Sequence, residues 1–102
     1  DKIYFSKSED NGATWTTPLE VSDSNTASRN MYPKMDVDGN DVHISWLGSP
    51  SGTDLSVYYS TSSNGGSSFS TGSQLSGTAN TINVDVTVDG DSIVVSWIEA
   101  GT

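Results

Sequence analysis

Residues 8 to 15, SEDNGATW, combine a serine, an aspartate, a glycine, a threonine and a tryptophan in one short stretch. Such a stretch could be a catalytic loop, a metal site or a tight turn. The carboxylate of Asp10 can accept hydrogen bonds from the amides that follow it, and Gly12 can supply a positive φ. Trp15 can tuck beneath the loop and fasten it to the sheet. Because turn geometry alone accounts for these residue types, we interpret the octapeptide as a turn, with no catalytic residue in it.

The other acidic residues gather around two Asp-Gly dipeptides. Their spacing does not place a glycine and a closing glutamate as an EF-hand calcium loop requires. Asp38-Gly39 and Asp89-Gly90 are instead typical of tight β-hairpins, which need no ion. No metal ligand or cofactor is assigned, and a cation on this acidic face stays an open alternative. The acidic residues concerned are Asp36, Asp38, Asp41, Asp85, Asp89 and Asp91.

The composition favours strands and excludes several classes of partner. Leucine is scarce, the apolar residues are mostly Val, Ile, Tyr and Trp, and Ser, Thr, Gly, Asn and Asp are abundant, which favours strands joined by tight turns. We expect one all-β domain over residues 1–102. The formal net charge of −9 opposes binding to nucleic acid or anionic membranes. No apolar run is long enough to span a membrane, and there are no cysteines to form disulfides or thiolate metal sites.

The sequence contains two copies of one unit. Residues 3–15, IYFSKSEDNGATW, match residues 57–69, VYYSTSSNGGSSF, at an offset of 54. Residues 35–47, MDVDGNDVHISWL, match residues 86–98, VTVDGDSIVVSWI, at an offset of 51. Internal repeats of this length indicate a structure built from repeated supersecondary units. His43 aligns with Val94, so we interpret it as a strand residue and not as a metal ligand.

Each unit is predicted to hold four short antiparallel strands, named A to D. Strands A and B flank the Asp-Gly turns, strand C precedes the octapeptide and strand D follows it. A meander of about fifty residues has the size of one propeller blade. The chain order is C-D, A-B-C-D, A-B, so one blade is complete and two are halves. The predicted ranges are 32–38 and 83–89 for A, 41–47 and 92–98 for B, 55–62 for C, and 14–22 and 68–76 for D.

The octapeptide matches the Asp box, S-x-D-x-G-x-T-W, and the chain therefore resembles the bacterial neuraminidase (BNR) repeats of sialidase-like β-propellers. The pattern from Pro33 to Trp46 also resembles the A-B hairpin of such repeats. The resemblance implies a structural role for the box, far from any active centre. The first box consists of Ser8, Asp10, Gly12, Thr14 and Trp15, and the degenerate second box of Ser62, Asn64, Gly66, Ser68 and Phe69.

Two blades cannot close a ring, but the C-D pair at the start and the A-B pair at the end supply what each other lacks. Head-to-tail contact between copies is the economical solution. Because sialidase-like rings have six blades, we expect a homotrimer. The alternative is a piece of a longer propeller, excised or engineered. The chain opens with DKIYF, without an initiator methionine or signal peptide, and we expect a mature or excised segment.

The resemblance places ligands on the face opposite the Asp boxes, formed by residues 22–30, 48–54, 76–81 and 99–102. Arg29 and Asp54 lie in these loops. Trp46 and Trp97 end the two B strands, where aromatic rings can stack on sugars. The alternative for both tryptophans is packing between blades, and for Arg29 a solvated loop. These four are the candidate ligand-binding residues.

A sialidase needs three arginines that converge on a carboxylate, a tyrosine nucleophile with a glutamate partner, and an aspartic acid. This chain has one arginine, and Met31 stands two residues before Pro33, where the family has the first arginine of its R-I-P motif. We therefore expect no enzyme but a recognition module, most plausibly for a glycan. The alternative is a structural or engineered fragment without a ligand, and a glycosidase is less favoured. The compartment is not fixed by the sequence, with an extracellular or cell-surface location favoured.

Overall fold

The computed structural model describes residues 1–22, 27–50, 52, 54–77 and 80–100. These residues form an all-β structure, as the composition predicted. The strands lie in three antiparallel sheets. In chain order they are β1 (Tyr4–Phe5), β2 (Leu19–Glu20), β3 (Arg29–Asp38), β4 (Asp41–Ser49), β5 (Ser56–Ser62), β6 (Ser73–Gln74), β7 (Thr81–Asp89) and β8 (Ser92–Glu99).

The sheets divide the chain in the order that the repeat predicts. The N-terminal sheet contains β1 and β2, the central sheet has the order β3-β4-β5-β6, and the C-terminal sheet contains β7 and β8. The central sheet is thus a complete four-stranded meander with strands A, B, C and D. The N-terminal sheet has only C and D, and the C-terminal sheet has only A and B.

Both A-B turns are tight, as their Asp-Gly dipeptides predict. Asp38 lies opposite Asp41 across a two-residue turn, and Asp89 lies opposite Ser92 across the other. Gly39 has φ 61° and Gly90 has φ 59°. A side chain at either position would strain this left-handed backbone, which explains the glycines.

The two A strands share a bulge that the sequence did not predict. The register of β3 shifts between Met31 and Lys34, and that of β7 shifts between Ile82 and Val84. The left-handed residues at these shifts are Tyr32, with φ 56°, and Asn83, with φ 59°. They stand 51 residues apart, so the repeat extends to the backbone conformation.

The D strands are shorter than predicted. Strands β2 and β6 have two residues each, and each begins four residues after the aromatic residue that ends its octapeptide, Trp15 or Phe69. Pro18 has no amide hydrogen for the sheet. Single backbone hydrogen bonds continue the pairing outside the strands, from Thr16 to the Lys7 carbonyl at 2.9 Å and from Val21 to the Ile3 carbonyl at 2.8 Å.

The terminal sheets cover opposite faces of the central sheet. Each sheet has two faces. The face toward the sheet that comes before it in the chain is here named the preceding face, and the opposite face is named the following face. On the preceding face of the central sheet lies a core of Ile3, Phe5, Val21, Val42, Ile44, Trp46 and Tyr58. On its following face Leu47 and Val57 pack with Val84, and Val95 and Trp97 pack against them.

Several buried positions of the central sheet are serines. Ser45, Ser56 and Ser60 are fully buried. Each donates its hydroxyl to a backbone carbonyl, at 2.7 to 2.8 Å. These three serines are therefore buried with their hydroxyls paired, whereas the hydroxyl of the buried Ser49 has no hydrogen-bond partner among the described residues.

Asp36 links the central sheet to the C-terminal sheet. One carboxylate oxygen accepts the Val88 amide at 2.8 Å, and the other accepts the Val37 amide at 3.0 Å. These hydrogen bonds, the one from Val88 first, lower the pKa of Asp36. The acidic residue beside the A-B turn thus has a structural role.

Within the described ranges, no helix is long and apolar enough to cross a membrane.

Candidate functional site

The connections between strands collect at two ends of the sheets. The A-B turns and the octapeptides share one end, here named the turn end, where the Gly65 amide donates to the Asn40 carbonyl at 2.8 Å. Strands β3, β5 and β7 begin at the other end, here named the loop end. Of the loops predicted to form a ligand face there, residues 23–26, 51, 53, 78–79 and 101–102 lie outside the described residues.

The first octapeptide is held by hydrogen bonds from its own residues. Ser8 donates its hydroxyl to Asp10 at 2.7 Å and accepts the Gly12 amide at 2.8 Å. Asp10 also accepts the Thr14 amide at 2.8 Å and the Thr14 hydroxyl. The Thr14 hydroxyl first, then its amide and the Ser8 hydroxyl, lower the pKa of Asp10 to about 2. A carboxylate held ionised by a turn closes that turn and has no proton to donate near neutral pH.

The second octapeptide repeats this arrangement with an amide in place of the carboxylate. Ser62 donates to Asn64 at 2.7 Å and accepts the Gly66 amide at 2.9 Å. Asn64 accepts the Ser68 amide at 3.1 Å and donates to the Ser68 hydroxyl at 2.8 Å. Gly12 and Gly66 have φ 88° and 94°. The loop therefore keeps its conformation with either Asp or Asn at this position.

Trp15 does not tuck beneath its loop, which corrects the sequence interpretation. Its side chain is 64% exposed, and its Nε1 donates to the Gly12 carbonyl of the same loop at 3.2 Å. The equivalent Phe69 is partly buried against Phe5 of the N-terminal sheet. The difference arises because Phe69 has a preceding sheet to pack on, whereas Trp15 belongs to the first sheet of the chain.

The four candidate ligand-binding residues have different environments. Arg29 and Asp54 are exposed at the loop end. Trp46 is 0% exposed, stacks on Tyr58 with ring centroids 6.0 Å apart and donates its Nε1 to Asn30 at 3.0 Å. In this structure Trp46 therefore has no face to offer a ligand. Trp97 is partly buried against the central sheet, and its Nε1 lies 3.4 Å from Glu99.

An open groove of about 280 Å³ lies at the loop end, between the central and C-terminal sheets. Tyr32 is 64% exposed beside it and has the left-handed backbone described above. Such a φ is rare for a bulky residue and occurs often where a side chain must be aimed. Sequence reasoning missed Tyr32, because the residue before a proline favours extended backbone and Pro33 therefore gave no signal for a positive φ. The groove is lined by Tyr32, Leu47, Leu55, Ile82 and Asn83.

Three titratable side chains, those of His43, Lys7 and Glu9, have hydrogen-bond or ion-pair partners. The His43 ring accepts or donates a hydrogen bond with the Tyr59 hydroxyl at 2.8 Å and lies 3.1 Å from the Thr61 hydroxyl. Lys7 lies 2.8 Å from Glu9 and lowers the pKa of that carboxyl. Among the residues with described positions, no three His, Asp or Glu side chains converge as metal ligands.

Comparison of the chain with family models, with curated proteins and with solved structures gave no match in any of the three.

Proposed function

We propose that this chain is a non-catalytic β-propeller module that assembles head to tail with copies of itself and binds carbohydrate at its loop end. The three sheets would be consecutive blades, and three copies would close a ring of six. The resemblance of the octapeptides to Asp boxes supports this proposal. So does the shared bulge at Tyr32 and Asn83, which indicates that the two A strands have equivalent surroundings in the fold.

The observation that carries the proposal is the complementarity of the two terminal sheets. The N-terminal sheet holds strands C and D alone, the C-terminal sheet holds strands A and B alone, and the central sheet holds all four. Pairing β8 of one copy with β1 of the next would give a second four-stranded sheet of the same order. It would also cover two open sheet edges, which proteins otherwise protect from unwanted pairing.

The loop-end groove supports the recognition role. An exposed tyrosine beside an apolar groove offers a flat surface on which a sugar ring can stack, and Arg29 and Asp54 supply exposed polar groups at the same end. The net charge of −9 favours a neutral or basic sugar over a sialylated or sulfated one. A ring would present three equivalent sets of grooves, so weak single sites would give strong binding to a multivalent surface.

A catalytic role has less support. The chain has one arginine, while a carboxylate substrate held as in sialidases needs three. The ring of His43 is hydrogen-bonded to the hydroxyls of Tyr59 and Thr61 within the central sheet. It is therefore not positioned as a base beside an open groove.

Light scattering and a glycan array test the two parts of the proposal separately. We expect a mass of about three times 10.8 kDa, and binding of at least one neutral or basic glycan. Tyr32→Ala should abolish that binding without changing the mass, whereas Asp38→Ala, at the turn end, should leave it intact. A monomeric mass at micromolar concentration would rule out the ring. A trimer that binds no glycan would leave a structural assembly without this ligand.

A further inference from the structure

The register of strands β4 and β5 within the chain specifies how two copies would join. We propose that β8 of one copy pairs antiparallel with β1 of a second copy, with Trp97 opposite Tyr4, Val94 opposite Lys7 and Glu99 opposite Lys2. This inference rests on the proposed assembly and deepens it, since it names the second copy's contact residues. It would make the second copy part of one continuous four-stranded sheet.

The register follows from the repeat. In the central sheet Trp46 lies opposite Tyr58, and His43 lies opposite Thr61. Strand β4 corresponds to β8 at an offset of 51, and β5 corresponds to β1 at an offset of 54. Transferring the pairs by these offsets gives Trp97 with Tyr4 and Val94 with Lys7. A shift of one residue would turn every side chain of one strand to the wrong face.

The exposure of Tyr4 agrees with this transfer. Tyr58 is 4% exposed because Trp46 and the N-terminal sheet cover it, whereas the equivalent Tyr4 is 58% exposed. The Trp46 and Tyr58 rings stack with an interplanar angle of 15°. The proposed register would stack Tyr4 on Trp97 in the same way and bury an aromatic ring that one copy leaves in water.

The charges at the end of the proposed pair are complementary. Gly48 lies opposite Ser56 in the central sheet, and the transferred pair is Glu99 with Lys2. Lys2 is one of only four basic residues in the sequence and lies 3.4 Å from Glu20. In the proposed register Lys2 would lie between Glu20 and Glu99, so its ammonium group would face carboxylates and not another cation. Because basic residues are scarce in a chain of net charge −9, this charge complementarity favours the register.

Two exposed apolar faces, one on the C-terminal sheet and one on β3 of the central sheet, also match. Inside the chain the following face of the central sheet, with Leu47, packs on the preceding face of β7, with Val84. The corresponding following face of the C-terminal sheet is uncovered, and Val94 and Ile98 are exposed there. The corresponding preceding face of β3 is uncovered as well, with Met35 and Val37 exposed. The proposed junction places these two faces against each other, a repeat of the contact already made within the chain.

A groove lies where the β7–β8 hairpin of the other copy would pack. It has a volume of about 540 Å³ and lies beside β1, over the exposed part of β3. Its lining includes Phe5, Lys7, Trp15, Met35 and Val37. In the complete central sheet, strands A and B occupy the corresponding position next to strand C.

Two contacts of the octapeptide loop within the chain have equivalents at the proposed junction between copies. Phe69 packs on Phe5 of the preceding sheet, and transfer by 54 residues places Trp15 on Tyr59 of the other copy. The Gly65 amide donates to the Asn40 carbonyl, and the equivalent pair between copies is Asn11 with Asp91. Asn11 has φ 58° and Gly65 has φ 71°, so the amide of Asn11 has the backbone conformation that this hydrogen bond requires.

Disulfide trapping tests the register directly, because the chain has no cysteine of its own. His43 and Thr61, the in-chain counterparts of Val94 and Lys7, have side-chain atoms 3.1 Å apart, so cysteines at the equivalent positions would be close enough to bond. An equimolar mixture of Lys7→Cys and Val94→Cys chains should give covalent dimers under mild oxidation. The control mixture of Lys7→Cys and Ile93→Cys, shifted by one residue, should give several-fold less.

Charge reversal provides a second test that needs no new covalent bond. Lys2→Glu or Glu99→Lys alone should weaken association about two- to fivefold, and the double variant should restore it. Asp54→Lys, which carries the same change of charge as Glu99→Lys at an exposed loop-end position, should not respond to Lys2→Glu. If the parent chain is a trimer but neither the disulfide nor the charge rescue is observed, the proposed register is wrong and the proposed assembly is retained. A monomeric parent chain would overturn both.

Discussion

The ring of Phe69 contacts the ring of Phe5 edge to face, with centroids 5.2 Å apart and an interplanar angle of 65°. This contact joins the second octapeptide to the N-terminal sheet. Phe69→Ala should lower the free energy of unfolding by about 2 kcal/mol, less than the ~3–5 kcal/mol of a fully buried ring. Trp15→Ala is the matched variant, and because Trp15 is exposed in the single chain, it should cost less than Phe69→Ala at low protein concentration. Urea denaturation of both variants measures the difference, and equal losses would contradict it.

Gly66 and Gly12 have nearly the same backbone conformation but different surroundings. A Cβ at Gly66 would overlap the Phe5 ring, whereas a Cβ at Gly12 would meet nothing within 4 Å. Both Gly→Ala variants should lose about 1–2 kcal/mol from the positive φ. Gly66→Ala should lose about 1–3 kcal/mol more from the overlap. Thermal denaturation at low protein concentration should therefore show the larger decrease in Tm for Gly66→Ala.

Of the two glycines, Gly12 should also respond to assembly. If Trp15 and Gly12 pack on Tyr59 of another copy, Gly12→Ala should weaken association while it leaves the dilute chain only moderately destabilised. The measurement is the Tm of Gly12→Ala over a range of protein concentrations. A constant difference from the parent chain across that range would argue against this contact.

Asp10 gives the stability of the first octapeptide a defined pH dependence. Its pKa is lowered in the folded chain from 3.8 to about 2, with the Thr14 hydroxyl as the largest cause. The ionised carboxylate therefore stabilises the fold fully above its unfolded pKa, and this contribution is lost as the pH falls through about 2. Tm measured from about pH 6 to about pH 2 should fall less steeply for Asp10→Asn than for the parent chain.

Asp10→Ala provides the comparison at neutral pH. Asn64 closes the second octapeptide with the same hydrogen bonds, so Asp10→Asn should retain most of the Tm, whereas Asp10→Ala should lower it. An equal decrease for both substitutions would show that the turn needs the charge of Asp10 and not only its acceptor oxygens.

Asn30 holds the buried indole of Trp46. Its Oδ1 accepts the Trp46 Nε1 at 3.0 Å, and its Nδ2 donates to the Asp1 carbonyl at 3.0 Å. Asn30→Ala removes this acceptor from a buried donor and should cost about 1–3 kcal/mol. The double variant with Trp46→Phe should cost less than the sum of the two single variants, because phenylalanine has no donor to leave unpaired. Additive losses would show that the two side chains act independently.

The sequence alone predicted the all-β fold, the repeat and the order of the strands. The signals for these are local: apolar residues that are mostly Val, Ile, Tyr and Trp, Asp-Gly at the two hairpins, and the octapeptide spacing after strand C. Each depends on the conformational preferences of a few neighbouring residues. The turn function of the octapeptide could be inferred for the same reason, since Ser8, Asp10 and Thr14 form hydrogen bonds with one another within their own loop.

Only the tertiary structure decided which of two equivalent side chains is buried. Trp15 and Phe69 have the same place in the repeat, as do Tyr4 and Tyr58, yet Trp15 and Tyr4 are exposed because none of the described strands packs on their side of the N-terminal sheet. The position of Trp46 at a strand end was compatible with ligand stacking or with packing between sheets, and the structure shows packing, because the N-terminal sheet covers it. The left-handed backbone of Tyr32 was likewise decided by the bulge in β3. Burial depends on which sheet packs on a given face, and that contact joins residues far apart in the sequence.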